Sequence, residues 1–349
     1  MIYKGNPIDD AIILISYTHK IMKISSTMLI LSSLQYSYCF VNHNIKILRF
    51  KPIQSLNIRA SKSRNKMHVF TQLNESIHTH ENTDTSKQTG GILKARIIDQ
   101  GENYAIAYKE PSVLCHYSEW AGSKKMEPIP MLQRINKSLN GRRINLIHRL
   151  DRGASGCLLC AVDDGHLSTV TKELINALQS DKAVKTYVAI VRGSGMLHDN
   201  DLKTKGWFTI NRPIKDERGV LNEASTKFNF IAGCSNPRAS LILAQPTSGK
   251  WHQIRRHLNG LSHPIIGDTV HGNSRTNREW KELRDLPSER LCLHLARLQI
   301  PETEYTPALD VCCAIPEDMM FILKEHMSDV LADSCSMLDQ CGIIYDTNS

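Results

Sequence analysis

The sequence predicts an α+β fold, a mixed and largely antiparallel sheet with flanking helices, built by residues 92–330 of a 349-residue chain. Three observations lead there. The chain is 41% hydrophobic, enough at this length for a substantial core. Short apolar runs of strand length alternate with longer amphipathic runs of helix length. Their order is not a regular strand–helix–strand repeat, which argues against a doubly wound parallel sheet.

Taken in order, residues 1–70 read as an addressing leader. Lys20 and Lys23 precede a moderately apolar stretch, 24–40, broken by Ser25, Ser26, Ser32, Ser33, Gln35 and Ser37. It is too short and too polar to span a membrane and suits the apolar core of a signal peptide, with cleavage near Cys39 and Phe40. Residues 43–66 are rich in Lys and Arg and free of acid, the composition of a transit peptide. A signal followed by a transit-like segment is similar to the two-part leaders of proteins entering plastids of secondary origin. A mitochondrial leader, or a cytoplasmic protein that starts at Met22 or Met28, are the alternatives. Residues 71–91 form a polar linker with too little apolar content to order itself. Strands are expected over 95–98, 104–108, 157–162, 185–191, 225–231, 240–244 and 291–300, and helices over 131–139, 167–179, 251–261 and 318–326. Residues 331–349 read as an acidic tail.

Charge sharpens this division. Residues 1–74 hold ten Lys and Arg against two Asp, and so account for the whole net charge of +8. Within the remainder, residues 75–301 are basic at +9, and residues 302–349 hold ten acids against the single base Lys324. The basic middle is what supports contact with nucleic acid, because clustered cations neutralise phosphates and release counterions. The acidic end reads as solvated surface. The ten cysteines are scattered and read as reduced thiols. Cys157 and Cys160 form a C-x-x-C, but in a strand residues three apart point to opposite faces, which argues against a shared metal or redox pair. No structural metal is expected.

The segment NLIHRLDRGASG, 145–156, is densest in features that carry chemistry. A carboxylate, Asp151, stands between Arg149 and Arg152, which favour its charged form, and the small residues after it let another backbone approach closely. By itself this run is a surface Arg–Asp–Arg ion network, with a carboxylate nucleophile as the alternative. A second block, SGKWHQIRRHL at 248–258, is followed by HPIIGD at 263–268 and HG at 271–272. If 251–261 is helical, Ile254, Leu258 and Leu261 make a buried stripe that carries the neighbouring Arg255 towards the interior. A buried arginine needs an anion, and Asp151 is the candidate. The histidines at 252, 257, 263 and 271 lack the spacing of metal ligands and read as hydrogen-bonding groups.

HRLDRGASG at 148–156 resembles the H-R-L-D-x-x-T-S-G signature of the RluA-type pseudouridine synthases. KTYVAIVRG at 185–193 resembles their K-x-Y-x-A-x-V-x-G strand, and the 248–272 block resembles G-R-x-H-Q-[IL]-R-x-H-L with H-P-I-x-G-D. Weaker echoes are YKEP at 108–111, AST at 224–226 and LHLA at 293–296. The blocks run in family order from about 94 to 314. Within the family they are most similar to its tRNA-modifying branch, with the run Ser274, Arg275, Thr276, Asn277, Arg278 also echoed. The sequence departs from the pattern at Ala154 for Thr, Lys250 for Arg and Glu110 in the early N-K-P.

The resemblance implies a pseudouridine synthase fold with a central catalytic cleft. It makes Asp151 the catalytic carboxylate, Arg255 its partner and Tyr187 the ring that stacks on the target uracil. Arg149, His148, Arg152, Lys250, His252, Gln253 and Arg256 become the RNA- and base-binding set, with Arg149 filling the stack left by a flipped base. Basic residues 134, 137, 142, 143, 256, 275 and 278 are candidate phosphate contacts. The implied partner is RNA, tRNA before ribosomal RNA. No metal, cofactor or membrane contact of the mature form is implied, and a monomer is expected. A fold that binds RNA without catalysis, or a nucleoside hydrolase, are the other classes.

Overall fold

The computed structural model describes residues 37–41, 44–48, 93–117 and 129–346. The chain divides into two units, Met1–Thr85 and Ser86–Ser349. In the first, Ser37–Val41 and Asn44–Leu48 pair as an antiparallel hairpin, which the leader reading did not foresee. The rest of the leader and the whole 71–91 linker lie outside the described residues.

The second unit is organised by one ten-stranded sheet. Its strands are β1 (Ile97–Gln100), β2 (Tyr104–Lys109), β3 (Ile144–Leu146), β4 (Ser155–Val162), β5 (Val184–Arg192), β6 (Phe208–Asn211), β7 (Ser225–Ser235), β8 (Arg238–Pro246), β9 (Leu293–Ile300) and β10 (Leu309–Cys312). The order across the sheet is β6-β7-β8-β5-β9-β4-β2-β1, with β10 beside β9 and β3 beside β4. Every pairing is antiparallel except β9 with β4, so the sheet is mixed and largely antiparallel as the irregular element order predicts. All seven predicted strands are present. β4 is buried at all eight positions, which is why it reads as a continuous apolar run and not as an alternating one.

Helices α1 (Met131–Ser138), α2 (Leu167–Gln179), α3 (Gln253–Gly260) and α5 (Glu317–His326) fall where the periodicity places them, and α4 (Ser274–Leu283) and α6 (Ser328–Gln340) are additional. The acidic tail expected after residue 330 is corrected here. Val330, Leu331, Ser334 and Leu338 form the buried face of α6, and Asn229 of β7 donates to the Met337 sulfur at 3.6 Å. Asp329, Asp333 and Asp339 occupy the other face, so a charge count hid an amphipathic helix. Among the described residues no helix is long and apolar enough to cross a membrane, and nine described cysteines are free thiols.

Candidate active site

Asp151 stands in the loop between β3 and β4, its carboxylate 29% exposed. The loop is gripped from behind at its small residues. Leu291 donates its N–H to the Gly153 carbonyl at 3.0 Å, and a Cβ at Gly153 would meet the Glu289 carbonyl oxygen at 2.5 Å. Gly156, at φ +126°, lies against the Leu295 backbone where any side chain would collide. Such close backbone approach is open to glycine alone. Leu295 pairs with Gly156 on one side and with Tyr187 of β5 on the other, and a bulge between Leu295 and Arg297 distorts the ladder beside Tyr187. The parallel β4–β9 contact thus sets the loop and Tyr187 at one end of the sheet centre.

Two buried cations fix the loop from below. The Lys109 side chain is fully buried, and its ammonium donates to the carbonyls of Glu110, Arg152 and Ala154 at 3.0, 2.9 and 2.7 Å. Three donors meet three acceptors, and burial pulls the Lys109 pKa down to about 8. Arg290, also fully buried, donates to the Gly153 and Leu291 carbonyls and to Ser155 Oγ at 2.8–3.1 Å, while its Nε faces Asp318 at 2.7 Å. Neither residue carries a role in the sequence reading, because the loop carbonyls and hydroxyl they hold lie 43–137 residues away along the chain. Ala154, the departure from Thr, is buried and held through its backbone carbonyl, so the missing hydroxyl does not free the loop. Glu110, the other departure, pairs with Arg134 at 2.9 Å.

Arg255 reaches Asp151 from α3. The stripe of Ile254, Leu258 and Leu261 is buried as the periodicity predicts, and the Arg255 side chain, 7% exposed, donates from Nη1 to Asp151 Oδ2 at 2.8 Å. A second anion, Asp268, binds the same guanidinium more firmly. Its carboxylate is wholly buried and takes two parallel bonds from Nε and Nη2, at 2.8 and 2.7 Å. It also accepts the N–H groups of Val270 and His271, both at 2.9 Å. Asn277 of α4 ties the arrangement down, donating to the Asp268 carbonyl at 2.8 Å and accepting the Gly267 N–H at 3.0 Å. Burial works against the Arg255 charge, but the bonds and charge of Asp268 and Asp151 outweigh it and push its pKa up. For Asp268, burial is likewise overcome by the Arg255 hydrogen bond, and its pKa falls. The sequence quotes Asp268 in HPIIGD without giving it a task; the third charge in a buried arginine's shell was the missing inference.

Tyr187 is buried, and burial, reinforced by the Asp151 charge, raises its pKa far above the ordinary phenol value. His252 sits between the cleft and the protein, with Nε2 3.9 Å from Asp151 Oδ1 and Nδ1 3.0 Å from His271 Nε2. Burial holds its pKa down at about 4, so the ring is neutral near pH 7. Arg149 is exposed, with no ion-pair partner among the described residues. Lys250 is exposed beside the cleft, Arg152 faces Glu289 at 3.3 Å, and Arg256 donates to the Lys215 carbonyl at 2.8 Å.

Two members of the expected base-binding set are occupied elsewhere. His148 accepts the Leu159 N–H at 3.2 Å and pins the loop to β4, and burial lowers its pKa to about 4. Gln253 is buried and spends both ends on the protein, accepting from Ser248 Oγ and Lys250 N–H and donating to Ser225 O and Thr226 Oγ1. Among the candidate phosphate contacts, Arg134 is buried and paired with Glu110, and Arg142 donates to the carbonyls of Glu102 and Asp163. The histidines are hydrogen-bonding groups: His257 bridges Thr226 and Arg212, and His263 donates to Leu261. No cluster of three or more His, Cys, Asp or Glu among the described residues is placed to hold a metal ion.

A half-open carboxylate on a rigid loop, bonded to a buried arginine and close to a buried tyrosine, is suited to attack on an electrophilic carbon of a flat ligand. Comparison with known proteins identifies a family. The RNA pseudouridylate synthase family profile matches residues 103–260. The tRNA pseudouridine synthase C of Vibrio parahaemolyticus is 30% identical over 220 residues, 59% of this chain and 85% of that one. The Vibrio cholerae protein of the same name is 28% identical, covering 66% and 94%. That of Pectobacterium carotovorum is 32% identical, covering 58% and 54%, so this chain spans about half the length of that relative. The chain belongs to the RNA pseudouridylate synthase family, enzymes that isomerise uridine within RNA.

Proposed function

We propose that this protein converts a specific uridine of tRNA to pseudouridine, with Asp151 as nucleophile and the target base flipped into the cleft. The observation that carries this reading is the bond from buried Arg255 to the partly exposed Asp151 carboxylate, 2.8 Å long. The N1–C1′ bond breaks, the uracil turns, and C5 takes the place of N1 on C1′ while the C5 proton leaves and N1 regains one. No atom is gained or lost, so the reaction consumes no co-substrate. Asp151 acts at the sugar C1′ or at C6 of the base, and the bond from Arg255 holds it aimed. Tyr187 stacks on the uracil, and the burial that keeps its phenol protonated favours that role over removal of the C5 proton.

A base inside a helix is out of reach, and flipping it costs a few kcal/mol. Exposed Arg149 supplies a flat guanidinium to fill the gap. Phosphates are met by the rim cations. Arg192, Arg238 and Arg275, which no carboxylate among the described residues pairs with, also line one cavity of about 440 Å³. Choice of tRNA over ribosomal RNA rests on the relatives' names and on the HQIRRHL and HPIIGD blocks. We further propose a monomer, delivered by its leader to an organelle, a plastid before a mitochondrion; the first 91 residues fused to a fluorescent protein report the destination.

The test is RNA tritiated at uracil C5. Tritium release from tRNA without free uracil is expected. Free uracil would make the protein a hydrolase, and RNA binding without either product would make it a binder. Mapping pseudouridine in tRNA and ribosomal RNA with and without the protein decides the substrate.

A further inference from the structure

Trp251 is a large ring at the mouth of the cleft that no step above uses. It is 55% exposed, an unusual place to leave an indole, whose burial against protein gains so much. The turn that presents it is rigid. Gln253 accepts the Lys250 N–H at 3.1 Å and is anchored to Ser225 and Thr226. His252 adopts a left-handed φ of 53°, a conformation that side-chain-bearing residues hold only when their surroundings impose it. The consequence is that Trp251 points outward while His252 turns in towards Asp151.

Behind the indole the rings form a short stack. Trp251 lies on His252 with centroids 3.9 Å apart and planes 21° from parallel, and His271 meets it edge-on at 6.0 Å. His252 Nε2 is 3.9 Å from Asp151 Oδ1, so a single side chain separates the indole from the carboxylate. Cations flank it. Lys250 is exposed next in the chain, and the Arg256 guanidinium lies 5.9 Å from the ring centroid, tethered to the Lys215 carbonyl. A half-exposed flat π surface with a guanidinium over its ring and a second cation adjacent in the chain matches one kind of ligand, a nucleotide with its base on the ring and its phosphate on the cations.

We infer that Trp251 is a stacking platform for a base adjoining the target uridine in the bound RNA. This rests on the RNA substrate proposed above. When the target leaves its helix the neighbouring base loses a stacking partner, and Trp251 supplies a replacement one side chain from the reacting centre. Arg149 fills the position of the flipped base itself. Stacking tolerates any base, so the platform adds affinity and registers the strand without reading sequence.

Tryptophan fluorescence tests this directly. Adding uridine-containing tRNA should quench the wild-type protein and the Trp207→Phe variant alike, and the quench should vanish in Trp251→Phe. Trp251→Phe should bind RNA almost as wild type, because phenylalanine still stacks. Trp251→Leu and Trp251→Ala should each raise Kd and KM roughly 10-fold with kcat retained. Equal binding by the leucine and phenylalanine variants, or a quench that survives in Trp251→Phe, overturns the inference. Quenching reads binding without turnover, so the result is decided even if no tritium is released, which would instead defeat the proposed reaction.

Discussion

The cations around Asp151 divide into two groups that obey different physics. Lys109, Arg255 and Arg290 are at most 6% exposed, and each is matched by carbonyl, carboxylate or hydroxyl oxygens at 2.7–3.1 Å. Arg149 and Lys250 stand in solvent, and Arg256 spends a single bond on a carbonyl. A buried charge with full partners is expensive to disturb, because removing one partner strands the other in a low-dielectric interior. An exposed charge is nearly free to move and contributes little to stability. The floor of the cleft is therefore set before substrate arrives, and the rim is left available for phosphates. Changes in the floor should appear in kcat and Tm, and changes at the rim in KM and salt dependence.

The largest effect should come from Asp151→Asn. Tritium release should fall on the order of 10⁴-fold or more, while Tm changes little because Asp268 still neutralises Arg255. Activity within tenfold of wild type would remove Asp151 from the mechanism. Next is Asp268→Asn, which breaks the floor without touching substrate. Arg255 would be left half-paired, at a cost of about 3–5 kcal/mol, seen as a Tm lower by about 10 °C and a reduced kcat. An unchanged Tm would mean that Asp151 alone suffices for Arg255.

A smaller effect is expected from acid. His148 has a folded pKa of about 4 against about 6.5 for a free histidine. Below pH 6.5 the unfolded chain takes up a proton that the folded protein refuses, so this group's share of stability is present at neutral pH and is lost as pH falls from 6.5 to 4. By pH 5 the loss is about 2 kcal/mol. Burial also lowers the pKa of His252, His257, His263 and His271, so all five act in the same direction. His148→Gln keeps an acceptor for Leu159 and should show a smaller Tm drop between pH 7 and pH 5 than wild type. An equal drop would clear His148 of the effect. Smallest of all, Arg256→Ala or Lys250→Ala should raise KM a few-fold with kcat and Tm unchanged, and the slope of log K against log salt should fall by about 0.7 per lost phosphate contact on single-stranded RNA. A shift in kcat would place these cations in the floor.

What could be read from the chain was local or periodic. Seven of the sheet's ten strands and four of the six helices follow from hydrophobic spacing, and the helical stripe of Ile254, Leu258 and Leu261 was enough to turn Arg255 inward and demand an anion. The glycines after Asp151 announced a close backbone approach, and Gly153 and Gly156 make it. Helix α6 escaped because its acids, all on one face, dominated a count of charge. Arg134 was counted among the phosphate contacts, but Glu110, 24 residues away, pairs with it.

Beyond the Arg255–Asp151 pair, tertiary structure alone decided which charge meets which. Lys109 lies 43–45 residues from the loop it holds, and Arg290 is 137 residues from Gly153. The single parallel pairing, β4 with β9, brings these parts together. Side-chain periodicity tells which face of an element is buried, but a hydrogen bond is fixed by distances of a few ångströms between elements, and those depend on strand order and register, which no local pattern encodes.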